Sequence, residues 1–212
     1  DVYKRQIIGE TGSGKTSLAK LFMEFYSPDK GHIYVDGAEL QNFEVQEIRK
    51  AVVYVSQEDF LFTASVRENL KMGNEEISDE EMIEISRKMG VHQFVSKMER
   101  AYDSVLEERG KNLSKGQRQK LSLTRAILRH PKILILDEAT SNMDSISERE
   151  ILNYIKGIRD ITLILISHRI NVIADSDCIY VLQKGNIVAR GTDKQLKEQC
   201  KLYRQLYGEE EK

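Results

Sequence analysis

The 212-residue chain has no tryptophan, only two prolines and only two cysteines. Cys178 and Cys200 make neither a disulfide framework nor a zinc-ligand spacing, so the sequence reads as one from a reducing compartment. Purely aliphatic runs stop at four residues, as at 133–136 and 163–166. A bilayer span needs about 20 apolar residues in a row, and no such stretch or signal peptide is visible. On those grounds the chain is expected to be soluble and cytosolic in character. An excess of one charge is also missing: 32 Lys and Arg face 34 Asp and Glu, for a net charge of −2. That balance argues against a nucleic-acid partner gripped by one broad basic face. Internal repeats and low-complexity segments are absent as well.

What is present is 40% hydrophobic residues, over a length that suits one domain of about 100–200 residues or slightly more. Strand-like and helix-like patterns alternate, which favours an α/β fold with a largely parallel core sheet. Residues 7–9 read as the end of a strand. Residues 16–26 carry Leu18, Leu21, Phe22 and Phe25 at helical spacing and close at Ser27-Pro28. A short strand at 32–35 runs into an Asp36-Gly37 turn. The runs 51–55, 133–136, 161–166 and 178–182 are short and rich in β-branched and aliphatic residues, as strands buried on both faces are. Lys184-Gly185-Asn186 reads as a hairpin turn into 187–189. Between 63 and 112 the strand signal disappears. Ser78 with Glu81 reads as a capping box opening a helix through Met82, Ile83, Ile85 and Met89, and 92–98 as another short helix. The expected organisation is an α/β core at 7–62 and 113–207 with an inserted all-helical subdomain at 63–112 and a charged tail at 208–212. Asp1–Gln6 (DVYKRQ) resembles translated sequencing-adapter DNA, and the expectation is a foreign scar on a natural chain that continues upstream.

Gly9, Glu10, Thr11, Gly12, Ser13, Gly14, Lys15 and Thr16 fit the pattern G-x-x-x-x-G-K-[ST] between an apolar strand and an amphipathic helix. The glycines let backbone amides encircle phosphates, and the following helix aims its positive N-terminus at them. Lys15 supplies a point charge to β- and γ-phosphates, and the Thr16 hydroxyl is a Mg²⁺ ligand. The strand at 133–136 ends in Asp137-Glu138. Ligands of open α/β sheets sit beyond the carboxyl ends of strands. Asp137 is therefore expected to hold Mg²⁺, and Glu138 to orient and deprotonate the attacking water. His168 ends the strand at 161–166, where an imidazole can contact the γ-phosphate and the water. Gln57, after 51–55, can touch Mg²⁺ or the water from a third strand end.

At Leu113-Ser114-Lys115-Gly116-Gln117 the chain resembles the ATP-binding cassette family, whose signature reads L-S-G-G-Q. Ser114 is also a good N-cap with Gln117 at N3. Lys115 departs from the family by replacing the first signature glycine. The resemblance covers roughly residues 7–207 and implies a P-loop NTPase core. It marks Gln57 as the Q-loop, 141–144 with Asp144 as the D-loop, and His168 as the switch histidine. It further implies that ATP and Mg²⁺ are bound and that two cassettes pair head to tail. Ser114, Gly116 and Gln117 of one would then close on the nucleotide of the other. Glu108-Arg109-Gly110, the segment 60–70, Gly191-Thr192 and Leu202-Tyr203 look like those of multidrug, peptide or lipid exporters. The implied protein is thus an ATPase at the cytoplasmic face of a membrane, fused to an upstream transmembrane domain. A separately encoded importer ATPase, a cassette working without a membrane partner, and a degenerate cassette binding ATP as a regulatory clamp are the alternatives. The short insert disfavours the cassette without a membrane partner, and the presence of Glu138 and His168 disfavours the clamp.

Overall fold

A computed structural model describes residues 4–58, 60–167 and 176–206. In chain order the first elements are β1 (Lys4–Gly9), α1 (Lys15–Phe22), β2 (Tyr34–Val35), β3 (Ala38–Glu39), α2 (Val45–Ala51) and β4 (Val52–Val55). Next come α3 (Val66–Lys71), α4 (Asp79–Lys88), α5 (His92–Val95), α6 (Lys115–Leu128), β5 (Ile133–Asp137) and α7 (Ser145–Lys156). The last are β6 (Thr162–Ile166), β7 (Cys178–Gln183), β8 (Asn186–Gly191), α8 (Asp193–Gln199) and α9 (Lys201–Leu206). The contacts divide the chain into two compact units. One comprises 1–54, 132–138 and 160–212, the other 55–131 and 139–159.

The first unit is built on a six-stranded sheet in the order β4-β5-β6-β1-β7-β8. β1 pairs in parallel with both β6 and β7, and β5 in parallel with β6, while β8 closes an antiparallel hairpin on β7. Because strand side chains alternate between faces, Ile7 enters one apolar cluster with Ala19, Ile135, Ile166 and Leu182. Its neighbour Ile8 enters another, with Ile179, Val181, Leu196 and Tyr203. This two-sided burial is the parallel-sheet pattern read from the sequence. The hairpin turn at Lys184-Gly185 has φ of +49° and +80°, the backbone that favoured two-residue turns require.

Three local expectations are corrected. β1 begins at Lys4 rather than at Ile7, and Lys4–Gln6 pair with β6 and β7 in the middle of the sheet. α1 stops at Phe22 rather than Tyr26, because Glu24 takes a left-handed backbone (φ +50°) while Phe25 N–H donates to the Lys20 carbonyl at 3.2 Å. That is a helix-ending motif normally built on glycine, and it leaves Phe25 half exposed. The strand at 32–35 shrinks to Tyr34–Val35. α2, to which the sequence reading assigned nothing, occupies Val45–Ala51.

The second unit is largely helical among its described residues, with an isolated bridge between Ser65 and Val105. It is wider than the 63–112 stretch, since α6 and α7 belong to it. α3 and α4 both pack on α6, and Val66, Leu70, Met82, Met89, Leu121 and Leu128 are buried. Ser78 caps α4 by accepting from the Glu81 N–H at 3.1 Å, so the expected N-cap forms as a one-way cap rather than a reciprocal box. The short helix at 92–98 is realised as α5, ending at Val95.

Candidate functional site

The candidate residues divide between the two units. In the first, β1 runs into the glycine-rich loop at Gly9. A Cβ there would lie 2.3 Å from the Leu182 carbonyl oxygen and 2.6 Å from Ser13 Oγ, so only glycine fits. Gly14, at φ +103°, is the N-cap of α1 and brings no capping side chain. The first-turn N–H groups of α1 therefore have no side-chain acceptor, and the positive end of the helix is open to an anion. The loop is held from outside itself by Gly185 N–H, which donates to the Ser13 carbonyl at 3.0 Å. Ser13 Oγ is buried without a hydrogen-bond partner. Lys15 is buried too, and its ammonium donates to the carbonyls of Gly9 (2.8 Å) and Glu10 (2.9 Å). Burial pulls the Lys15 pKa below its ordinary value, while the charges of Glu138 and Asp137 pull against that shift.

β5 delivers those two carboxylates. Asp137 is buried, and its Oδ2 accepts from Thr16 Oγ1 at 2.7 Å and from the Tyr54 hydroxyl at 2.9 Å. Burial first, then the bond and charge of Asp137, push the Tyr54 phenol well above its usual range, which keeps it a neutral donor. Glu138 has φ +52°, and its N–H continues the ladder to the Ile166 carbonyl at 2.8 Å. Left-handed backbone at a residue with a Cβ costs about 1–2 kcal/mol and persists only where the surroundings fix it. Here the strand pairing supplies that constraint.

The donor set fits a magnesium-bound polyphosphate. Thr16 and Asp137 are hard oxygen ligands already in contact, and Mg²⁺ is typically held by one or two such groups plus phosphate oxygens and water. The unpartnered Ser13 hydroxyl, buried in the loop, is unexplained by the protein alone. Among the described residues no group of three His, Cys, Asp or Glu could hold a metal by itself.

The second unit holds Gln57, exposed after β4, and the segments 113–117 and 141–144 that resemble the signature and the D-loop. Ser114 caps α6 reciprocally: its Oγ accepts from Gln117 N–H at 3.2 Å, and its own N–H donates to Gln117 Oε1 at 2.9 Å. Asp144 caps α7 by accepting from Ser147 N–H at 2.9 Å, which holds its carboxyl below the usual range. Ser114, Lys115, Gly116, Gln117, Asn142 and Asp144 line one open cleft of about 700 Å³. His168 lies outside the described residues. Two residues escaped the sequence reading. Tyr54 is the one polar tip in an otherwise apolar strand. Gln119, two positions beyond the signature, is fully buried.

A family model described as "ABC transporter" matches residues 3–141. The heterocyst differentiation ATP-binding protein HepA of a Nostoc species is 43% identical over 194 residues, 91% of this chain and 32% of that protein. The mitochondrial iron-sulfur clusters transporter ABCB7 of Oryzias latipes is 39% identical over 194 residues, 91% of this chain and 26% of that protein. A solved bacterial Atm1-family ABC exporter with ATP bound superposes with a TM-score of 0.93 at 31% identity, covering 97% of this chain and 36% of that one. The chain thus spans about a third or less of the length of these relatives.

Proposed function

Because the chain belongs to the ABC transporter family, we propose that it binds Mg²⁺-ATP at the phosphate loop, hydrolyses it, and powers export through a transmembrane domain. The observation that carries this is the first unit's arrangement of Lys15, Thr16, Asp137 and Tyr54. A loop that only glycine can form opens a helix beside the carboxylates ending β5.

Lys15 and the open first turn of α1 bind the β- and γ-phosphates, with Lys15 exchanging its two carbonyl acceptors for phosphate oxygens. Thr16 and Asp137 hold Mg²⁺, which when bound neutralises charge on the phosphate oxygens. Tyr54 fixes the Asp137 carboxylate by donating to it. Glu138 takes a proton from water as the water oxygen bonds to the γ-phosphorus and the bond to the β–γ bridging oxygen breaks. His168 and Gln57 orient that water and respond to the γ-phosphate. Ser114, Gly116 and Gln117, with Asp144 beside them, close on the nucleotide of a second cassette, so full turnover belongs to the pair. The exporter part of the reading rests on the relatives, among them an Atm1-family exporter. It places the cassette at the cytoplasmic face of a membrane. Among the described residues no helix is long and apolar enough to cross one.

Titration with a fluorescent ATP analogue and a phosphate-release assay test the reading. Lys15→Ala should weaken nucleotide binding at least about tenfold. Glu138→Gln should bind as the parent does while phosphate release falls by about 10²–10⁴-fold. No nucleotide affinity in the parent chain, or undiminished release by Glu138→Gln, would overturn it.

A further inference from the structure

We infer that Gln119 is a positioning residue that couples the signature turn to the Ser141–Asp144 loop. The inference rests on the proposed reading, in which both segments serve a second cassette's nucleotide. Gln119 lies in the second turn of α6 with none of its surface exposed. Both ends of its amide are engaged with the loop before α7. Oε1 accepts from the Asn142 backbone N–H at 3.0 Å, and Nε2 reaches Ser141 Oγ at 3.4 Å. The first contact is the stronger, the second being long for a hydrogen bond. Gly116, one turn earlier, stands close enough that a Cβ would meet the Asn142 carbonyl oxygen at 3.2 Å. α6 therefore meets the loop at two points, a bare backbone approach and an amide clamp. Asn142 and Asp144 line the same cleft as Ser114 and Gly116.

The Gln119 amide has little freedom to let go, because its fully buried oxygen would lose its donor at a cost of about 1–3 kcal/mol. When a phosphate draws Ser114 and Gly116 to itself, the clamp makes Asp144 move with them. The signature and the D-loop are then engaged together by a partner's ATP. Gln117, also a glutamine, cannot do this, since its amide is spent on the cap of its own helix. Nothing in this step touches the reacting atoms.

The test uses the complete chain and its Gln119→Met variant, which keeps the side chain's length and removes both bonds. Loss of such positioning is worth about 10–100-fold in turnover. Phosphate release at saturating ATP should fall by that factor while ATP-analogue affinity stays within twofold, because the phosphate loop is untouched. On Asp144→Ala the same substitution should have little further effect, as expected when two residues act as one unit. Ser141→Ala, which removes only the weaker contact, should give a smaller fall and guards against a misfolded Gln119→Met. Turnover within twofold of the parent in Gln119→Met, an undiminished factor on Asp144→Ala, or an equal loss of analogue affinity would overturn the inference. If the parent itself shows no turnover, the proposed function fails first. The clamp is then read by amide hydrogen exchange at Asn142 with Mg²⁺-ATP added to parent and variant. Slowing in the parent alone supports the coupling, and equal rates refute it.

Discussion

Gln6 offers a direct test of how the sheet is held together. It sits on β1, between β6 and β7, with 0% of its surface exposed. Its Oε1 accepts from Ser176 Oγ at 3.0 Å, but Nε2 has no partner. A buried donor left unmet costs about 1–3 kcal/mol, while the one bond the amide does make contributes about 1 kcal/mol. Gln6→Met alone would remove the orphan and strand the Ser176 hydroxyl, and the two effects offset. The double variant Gln6→Met/Ser176→Ala removes both polar groups and fills similar space with a flexible apolar side chain. Relief of the orphan outweighs loss of the one bond, so the double variant should be more stable by about 1 kcal/mol. For a chain of this size each kcal/mol moves Tm by about 2–4 °C, so a rise of about 2–4 °C is expected. In urea the midpoint should rise with the m-value unchanged. A double variant no more stable than the parent would refute the reasoning. Such a result would mean that the Gln6 amide contributes to the sheet rather than burdening it.

Lys115 places a cation at the first position of α6, where the helix dipole opposes it by about 0.3–1 kcal/mol. Lys115→Glu should therefore raise thermal stability slightly, yet abolish the ATP-driven association of Glu138→Gln chains measured by sedimentation, since it faces the cleft that would receive phosphate. Loss of stability, or association undiminished, would contradict this. At low pH the ion pairs of the second unit should fail in a defined order of sign. Hydrogen bonds from Lys71 and then Arg67 hold the Asp79 carboxyl below its ordinary value. The folded pKa lies below the unfolded one, so the stabilisation is complete above the unfolded value of about 3.9 and is lost as pH falls through the lowered folded value. Asp79→Asn should accordingly flatten the acid limb of a stability-versus-pH curve between about pH 5 and 2, and an unchanged limb would count against it.

What could be read from the sequence follows from how far each determinant reaches along the chain. The phosphate loop is legible because its needs are local: Gly9, Gly14, Lys15 and Thr16 stand within eight residues, and each does its work where it stands. The Ser114–Gln117 cap is local for the same reason, spanning three residues. The strand ends at Asp137 and Glu138 are legible as an apolar run meeting two acids. Tyr54 is invisible by such means, since its bond to Asp137 spans 83 residues. α2 is missed because its cap is Glu44, answered by Glu47 at 3.3 Å, and glutamate is a weak N-cap signal beside Ser, Thr, Asp or Asn. The end of α1 is misplaced because Glu24 adopts a backbone that sequence rules reserve for glycine.

The contrast between Gln117 and Gln119 carries the point furthest. They are the same residue type, two positions apart on one helix, and the pattern singles out only the first. Gln117 faces its own N-cap, so its role is written in four consecutive residues. Gln119 is turned some 200° from it by the helix, at about 100° per residue, and meets partners 22 and 23 residues further on. A signature read as five letters therefore ends one contact too early. The structural unit that presents Ser114 and Gly116 includes Gln119 and the loop it clamps. If that is so, transplanting Leu113–Gln117 without Gln119 into another cassette should transfer the cap of α6 but not the coupling. The double-mutant cycle between Gln119 and Asp144 would detect that difference.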